Sequence, residues 1–182
     1  MWNEKADDIT RHAGESTTAG RILSRDHFGD KLKEFIRGDL SDKRPFVWGT
    51  CSGLIMLAND LENQKQGGQY HIGGLDVTVS RNFFGRQINS FEADVTLSED
   101  GLTKGTDDGS TSFHGVFIRA PAVVSCNKEQ VKVLGTIMKE EKSTEPIIVA
   151  VQQDNIVATS FHPELTEDLR WHTHFLKMVL SQ

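Results

Sequence analysis

Apolar positions follow two patterns along the chain, one helical and one alternating. Between Phe28 and Ile36, the residues Leu32, Phe35 and Ile36 recur at helical spacing and predict an amphipathic helix whose inner face they form. Pro45 to Gly49 is a short β-rich run stopped by a glycine, and Leu54 to Ala58 directly after it reads as the opening of a buried helix. Leu75 to Val79 and Phe91 to Leu97 alternate apolar and polar residues as half-buried strands do, and Val116 to Ile118 is a third short run. Ser98 to Ser112, rich in Gly, Asp, Ser and Thr, predicts a solvated surface loop, read first as a plain linker. Pro146 to Val151 and Ile156 to Thr159 flank Asp154-Asn155, which suggests a hairpin. Thr166 to Leu180 reads as a closing amphipathic helix with Leu169, Phe175, Leu176 and Val179 as its apolar set. Strand–turn–helix steps of this kind belong to an α/β fold, here one domain over residues 1–182.

Composition narrows the function classes. The 182 residues are 37% hydrophobic, enough to bury a core, so overall disorder is excluded. Twenty basic residues against 26 acidic ones give a net charge of −6. An acidic chain without a basic stripe is a poor ligand for nucleic acid or an anionic membrane. No apolar run approaches the roughly 18 residues of a membrane span, and the charged opening Met1 to Asp8 lacks the apolar centre of a secretory signal. The expectation is a soluble, cytoplasmic protein. Two cysteines, Cys51 and Cys126, make no disulfide framework and no paired metal-ligand spacing, so neither metal nor cofactor is expected.

The segment Trp48 to Leu54 carries the most chemistry. Gly49, Cys51 and Gly53 form G-x-C-x-G, a thiol version of the strand-to-helix turn that presents a nucleophile, where larger neighbours would clash. A cysteine at that corner faces the positive end of the following helix, which favours thiolate. The alternative is that Cys51 is one more small buried hydrophobe. A thiolate needs a base. His162 ends a predicted strand, and in extended chain Glu164 points the same way, so a carboxylate can orient the imidazole. His-Pro-Glu is also compatible with a simple turn. His172 and His174, two apart on a helix, do not share a face and make a poor metal pair. His12, His27, His71 and His114 have no partner pattern.

Five blocks then occur in order: Gly-Glu-Ser-Thr-Thr (14–18), Trp-Gly-Thr-Cys-Ser-Gly-Leu (48–54), Arg-Asn-Phe-Phe-Gly-Arg-Gln (81–87), Phe-Ile-Arg-Ala-Pro (117–121) and Thr-Ser-Phe-His-Pro-Glu-Leu (159–165). Together they resemble the glutaminase subunits of pyridoxal 5′-phosphate synthase, which are class I glutamine amidotransferases, over roughly residues 13 to 180. The resemblance implies a three-layer, flavodoxin-like α/β domain with a mixed central sheet. It implies hydrolysis of L-glutamine to glutamate and ammonia, the ammonia passing to a separate synthase subunit of a hetero-oligomer. Carried over by position, Cys51 matches the nucleophile, and His162 and Glu164 match the rest of the triad. Gly14, Glu15 and Ser16 match the glutamine-binding and oxyanion segment, with Arg81, Ile118 and Arg119 as the remaining substrate contacts. Backbone N–H groups of Gly14 and Ser52 would hold the oxyanion.

The resemblance weakens at the front. Family members open with a strand and helix, then a second strand ending in Pro-Gly-Gly-Glu-Ser; here residues 1–12 are charged and Ala13 stands at the first glycine of the pair. The chain is therefore expected to lack the family's opening, leaving unpaired strand edges and an uncovered apolar face. If residue 13 needs a left-handed backbone, its Cβ costs on the order of 1 kcal/mol. The alternative function is a truncated, inactive relative that acts at most as a binding subunit of the synthase. A glutaminase serving another pathway is disfavoured by the block from Arg81 to Gln87.

Overall fold

The computed structural model describes residues 16–38, 44–62, 70–85, 90–98, 100–103 and 110–181. The opening 1–12, Ala13, Gly14 and Glu15, and residues 99 and 104–109 of the 98–112 segment, lie outside them. The helices are α1 (Ser16–Leu23), α2 (Phe28–Arg37), α3 (Ser52–Leu57), α4 (Asp100–Thr103) and α5 (Arg170–Leu180). The strands are β1 (Val47–Thr50), β2 (Ala58–Leu61), β3 (Leu75–Ser80), β4 (Ser90–Leu97), β5 (Ser112–Ile118), β6 (Ala122–Cys126), β7 (Lys132–Ile137), β8 (Ile147–Gln153) and β9 (Ile156–Thr159).

These strands form one mixed sheet in the order β2-β3-β6-β8-β7-β4-β5, with β9 pairing β8 and β1 pairing β9. The α/β class and mixed central sheet expected from the sequence are what the chain adopts. β1 runs parallel to β9, whereas β8 and β9 form the antiparallel hairpin predicted around Asp154-Asn155. Asp154 takes a left-handed backbone there, φ 49°, which short polar residues tolerate best.

Alternation along β9 divides the core. Ile156 and Ala158 join a cluster with Leu23 of α1, Ile36 of α2 and Leu54 to Leu57 of α3, while Val157 joins one with Phe113, Phe117, Phe161 and Trp171 of α5. Successive side chains of a strand point to opposite faces, so α1–α3 cover one face and α5 the other.

β8 organises the site. One of its edges pairs β7 along most of its length; the other pairs β9 from Ala150 to Gln153 and β6 at Ile148. β9 and β6 thus lie end to end along the same edge, as do their outer partners β1 and β3. Because β3 is antiparallel to β6, its C-terminal end runs toward the C-terminal end of β1.

Several elements depart from the sequence reading. Strands β2, β6 and β7 were not anticipated. The helix after Cys51 stops at Leu57, and Ala58 already starts β2. The 98–112 segment is not a plain loop: α4 lies within it and buries Leu102 completely. In α2, Ile36 is buried but Phe35 is about half exposed, at 47%. In α5 the inner face belongs to Trp171 and His174, whereas Leu176 and Val179, like Leu169 just before the helix, are exposed and Phe175 packs only in part. That helix starts at Arg170 because the Asp168 carboxylate accepts the Arg170 N–H, at 2.9 Å, where the first turn has no backbone acceptor.

Beside β1 lies an open groove of about 510 Å³. Its walls include Leu32, Phe35 and Ile36 of α2, Met56 and Leu57 of α3, and Phe175 of α5. Among the described residues, β9 is the one strand that β1 pairs with.

Candidate active site

Cys51 occupies the corner between β1 and α3 at φ 50°, ψ −102°, a conformation that L-residues rarely adopt. Its backbone N–H is fixed by the Thr159 carbonyl at 2.7 Å, which continues the β1–β9 pairing past the last residue of β1. The two flanking glycines are not equivalent. A Cβ on Gly49 would lie 2.6 Å from Leu57 Cδ1 and 2.8 Å from the Gly53 carbonyl carbon, so close approach of strand and helix requires glycine. A Cβ on Gly53 meets nothing within 4 Å, so the steric need read there from the sequence does not apply within this chain.

His162 follows β9, and Pro163–Leu165 form a 3₁₀ turn that carries Glu164 back toward the imidazole. His162 Nδ1 and Glu164 Oε1 are 2.8 Å apart, with the His side chain 21% exposed and the Glu side chain 50%. The backbone of His162 donates to the Val116 carbonyl of β5 at 2.9 Å. A hydrogen bond with Cys51 is the largest influence on the imidazole and raises its pKa to about 9; burial opposes this and Glu164 reinforces it. A thiol, an imidazole and a carboxylate so arranged can serve chemically as nucleophile, base and orienting group.

β5 supplies the wall opposite. Its carbonyls at 116 and 118 point the same way: Val116 accepts from His162, and Ile118 accepts from the Cys51 thiol at 3.6 Å. Arg119, just past the strand, has a left-handed backbone at φ 46°. Arg81 is the first residue after β3, half-buried, at the strand end that the sheet directs toward β1. Ser52 is the first residue of α3, where helical N–H groups have no intrahelical acceptor.

Of the residues singled out by sequence, Cys51, His162, Glu164 and Ile118 meet directly, Arg119 adjoins them, and Arg81 approaches by topology. Ser16 opens α1; its side chain, like Gly14 and Glu15, lies outside the described residues. The remaining described histidines serve packing or surface pairs. His174 meets Gln152 at 3.1 Å, His172 stands edge-on to Trp48, and His114 reaches Glu92 at 2.9 Å. Among the described residues, no group of three His, Cys, Asp or Glu could hold a metal ion, and no helix is long and apolar enough to cross a membrane. The Val116 and Thr159 carbonyls, which anchor the backbones of His162 and Cys51, were not anticipated. A backbone carbonyl leaves no mark in a sequence.

The profile of the family described as "SNO glutamine amidotransferase family" matches residues 3–181. The chain belongs to that family. Among relatives of this glutamine amidotransferase is the "Probable pyridoxal 5'-phosphate synthase subunit pdx2" of Dictyostelium discoideum, 43% identical over 173 residues, which are 92% of this chain and 69% of the relative. The "Probable pyridoxal 5'-phosphate synthase subunit PDX2" of Arabidopsis thaliana is 44% identical over 183 residues, 91% of this chain and 68% of the relative. A solved structure titled "Crystal structure of glutamine amidotransferase" superposes with a TM-score of 0.68 at 36% identity, covering 90% of this chain and 74% of the other.

Proposed function

We propose that this glutamine amidotransferase hydrolyses L-glutamine to L-glutamate and ammonia, and that the ammonia passes to a synthase subunit that builds pyridoxal 5′-phosphate. The observation that carries the reading is the connected series Cys51, His162 and Glu164, with Glu164 2.8 Å from the imidazole. The relatives named as synthase subunits support the destination of the ammonia.

In this reading the Cys51 sulfur attacks the side-chain amide carbon of glutamine. His162, protonated by the thiol, gives its proton to the departing ammonia and leaves a glutamyl thioester. Water, deprotonated by His162, then releases glutamate. Glu164 fixes the imidazole orientation and stabilises the imidazolium. The N–H groups of Ser52 and Gly14 hold the tetrahedral oxyanion. Arg119 or Arg81 pairs with the α-carboxylate of glutamine, Glu15 with its α-ammonium, and Ser16 and Ile118 complete the substrate contacts.

The test is ammonia release from L-glutamine by this chain with a cognate synthase subunit present, using Cys51→Ala as the blank. Release above the blank is the expected outcome. A folded chain that binds the synthase but releases no ammonia overturns the enzymatic reading in favour of a binding subunit.

A further inference from the structure

An open sheet has edges, and an edge strand leaves half of its main-chain groups without a ladder partner. Among the described residues, β2, β5 and β1 each pair on one side only, and they are guarded differently. β2 is protected by its own sequence: Asn59 and Asp60 are exposed, and its register against β3 shifts between Ala58 and Asp60. β5 is covered by the turn after β9, since the His162 N–H takes the Val116 carbonyl at 2.9 Å and Pro163 follows. β1 has none of these devices. Val47 to Thr50 carry no charge and no proline, and they pair β9 in unbroken register.

The free groups of β1 can be named. Val47 and Cys51 donate their N–H to the Asn155 and Thr159 carbonyls. Alternate residues of a strand turn their N–H and C=O to opposite edges, so Trp48 and Thr50 present both groups to the open side. Among the described residues no strand lies there. The apolar groove does, and none of its lining side chains is charged. Its walls continue outward on both sides. His172 and Phe175 touch Trp48, so residues 172, 175, 176 and 179 form the stripe of α5 turned to this edge, and Leu176 and Val179 in it are exposed. Phe35 is exposed on the α2 side.

An occupant of this edge is therefore an extended, uncharged segment with apolar side chains on both faces. The run from Phe46 to Thr50 is itself such a segment. We propose that the β1 edge is a self-association surface, on which a second copy of this chain lays its own β1 antiparallel to make one sheet across two chains. Trp48 then lies on the two-fold axis and exchanges N–H and C=O with its own copy, and Thr50 faces Phe46 of the second copy. A two-fold axis normal to the sheet keeps each face on its own side. α2 thus meets α2 with Phe35 between them, and α5 meets α5 through Leu176 and Val179. Both copies use the same edge, so assembly closes at two, and the guarded β2 and β5 edges offer no route to a filament. The inference is independent of the reading of Cys51.

Sedimentation velocity of the full chain over a dilution series tests it. The expected result is a mass that rises from one chain to two with concentration and goes no further. Leu176→Glu and Phe35→Asp each put a charge on an exposed wall, so both stay single where the unaltered chain is paired. Met138→Glu, at an exposed position just beyond β7, pairs as the unaltered chain does. Hydrogen exchange then reads the strand itself. Where about nine-tenths of the chains are paired, the Trp48 and Thr50 amides exchange about tenfold more slowly, because only the unpaired remainder is open, while β2 is unchanged. A single chain at every concentration overturns the proposal, as does growth past two chains. A dimer that survives both charge substitutions, or that leaves the Trp48 and Thr50 amides unprotected, uses another face and overturns it equally.

Discussion

His162 gains affinity for its proton on folding, to about 9 from an ordinary 6.5, mainly through Cys51, with burial opposing and Glu164 assisting. Such a group stabilises the fold fully below about pH 6.5, and that contribution is lost as pH rises through about 9. The urea midpoint of the chain should therefore exceed that of His162→Gln by an amount that shrinks between pH 6.5 and pH 10; a constant gap would show that the imidazole is not held in this way. On the proposed mechanism, Glu164→Gln should lower turnover on the order of 10²-fold without loss of helix or sheet signal, because the 2.8 Å contact orients the His162 imidazole. A steady-state assay at saturating glutamine measures it. The spacings that reveal these residues are short: Gly49-x-Cys51 on one turn and His162-Pro163-Glu164 on another are local constraints, so they are visible in a sequence. The carbonyls of Val116 and Ile118 arrive from more than forty residues away and belong to the backbone, which is why no side-chain pattern points to them.

The turn from β1 into α3 sets where the sulfur stands, and its two glycines make opposite demands. Gly49→Ala forces a methyl group to within 2.6 Å of Leu57 and 2.8 Å of the Gly53 backbone, so it should destabilise the chain by about 2 kcal/mol and displace Cys51. Gly53→Ala meets open space inside a helix and should leave stability equal or slightly raised, by up to about 1 kcal/mol. Chemical denaturation of both variants decides the matter, and an equal response would mean that strand and helix are not in close contact. Elements were legible where one physical pattern ruled them. The alternation of β3 and β4 and the Asp154-Asn155 turn each have a single cause. β7 was hidden because Gly135 and Thr136 interrupt its apolar run; Gly135 is needed where a Cβ would meet Val95 at 2.7 Å. α5 misled because its inner face is made by one large residue, Trp171, and a histidine satisfied by Gln152, whereas the aliphatic residues beside them stay outside.

At the scale of the whole molecule, one core faces away from solvent and one is partly open. The aromatic side, with Phe113, Phe117, Phe161 and Trp171 all fully or almost fully buried, is closed by α5. On the other side the groove beside β1 leaves apolar walls from α2 and α3 in contact with water, with Phe35 at 47% exposure on its wall. A patch of this kind lowers the free energy of any apolar solute that enters it. The folded chain should therefore enhance the fluorescence of an anilinonaphthalene dye at low micromolar concentration in native buffer. Phe35→Asp places a charge in the wall at a position that contributes little to the core, so it should abolish most of the dye signal while leaving circular dichroism and the urea midpoint nearly unchanged. A signal that survives the substitution would place the dye elsewhere, and a lost midpoint would show that Phe35 carries more of the packing than its exposure indicates. Cys51 stands on the turn joining two walls of this groove, Gly49 on β1 and Gly53 on α3. Filling the groove therefore fixes the frame that holds the sulfur, and iodoacetamide labelling of Cys51 should respond to dye in the wild-type chain but not in Phe35→Asp.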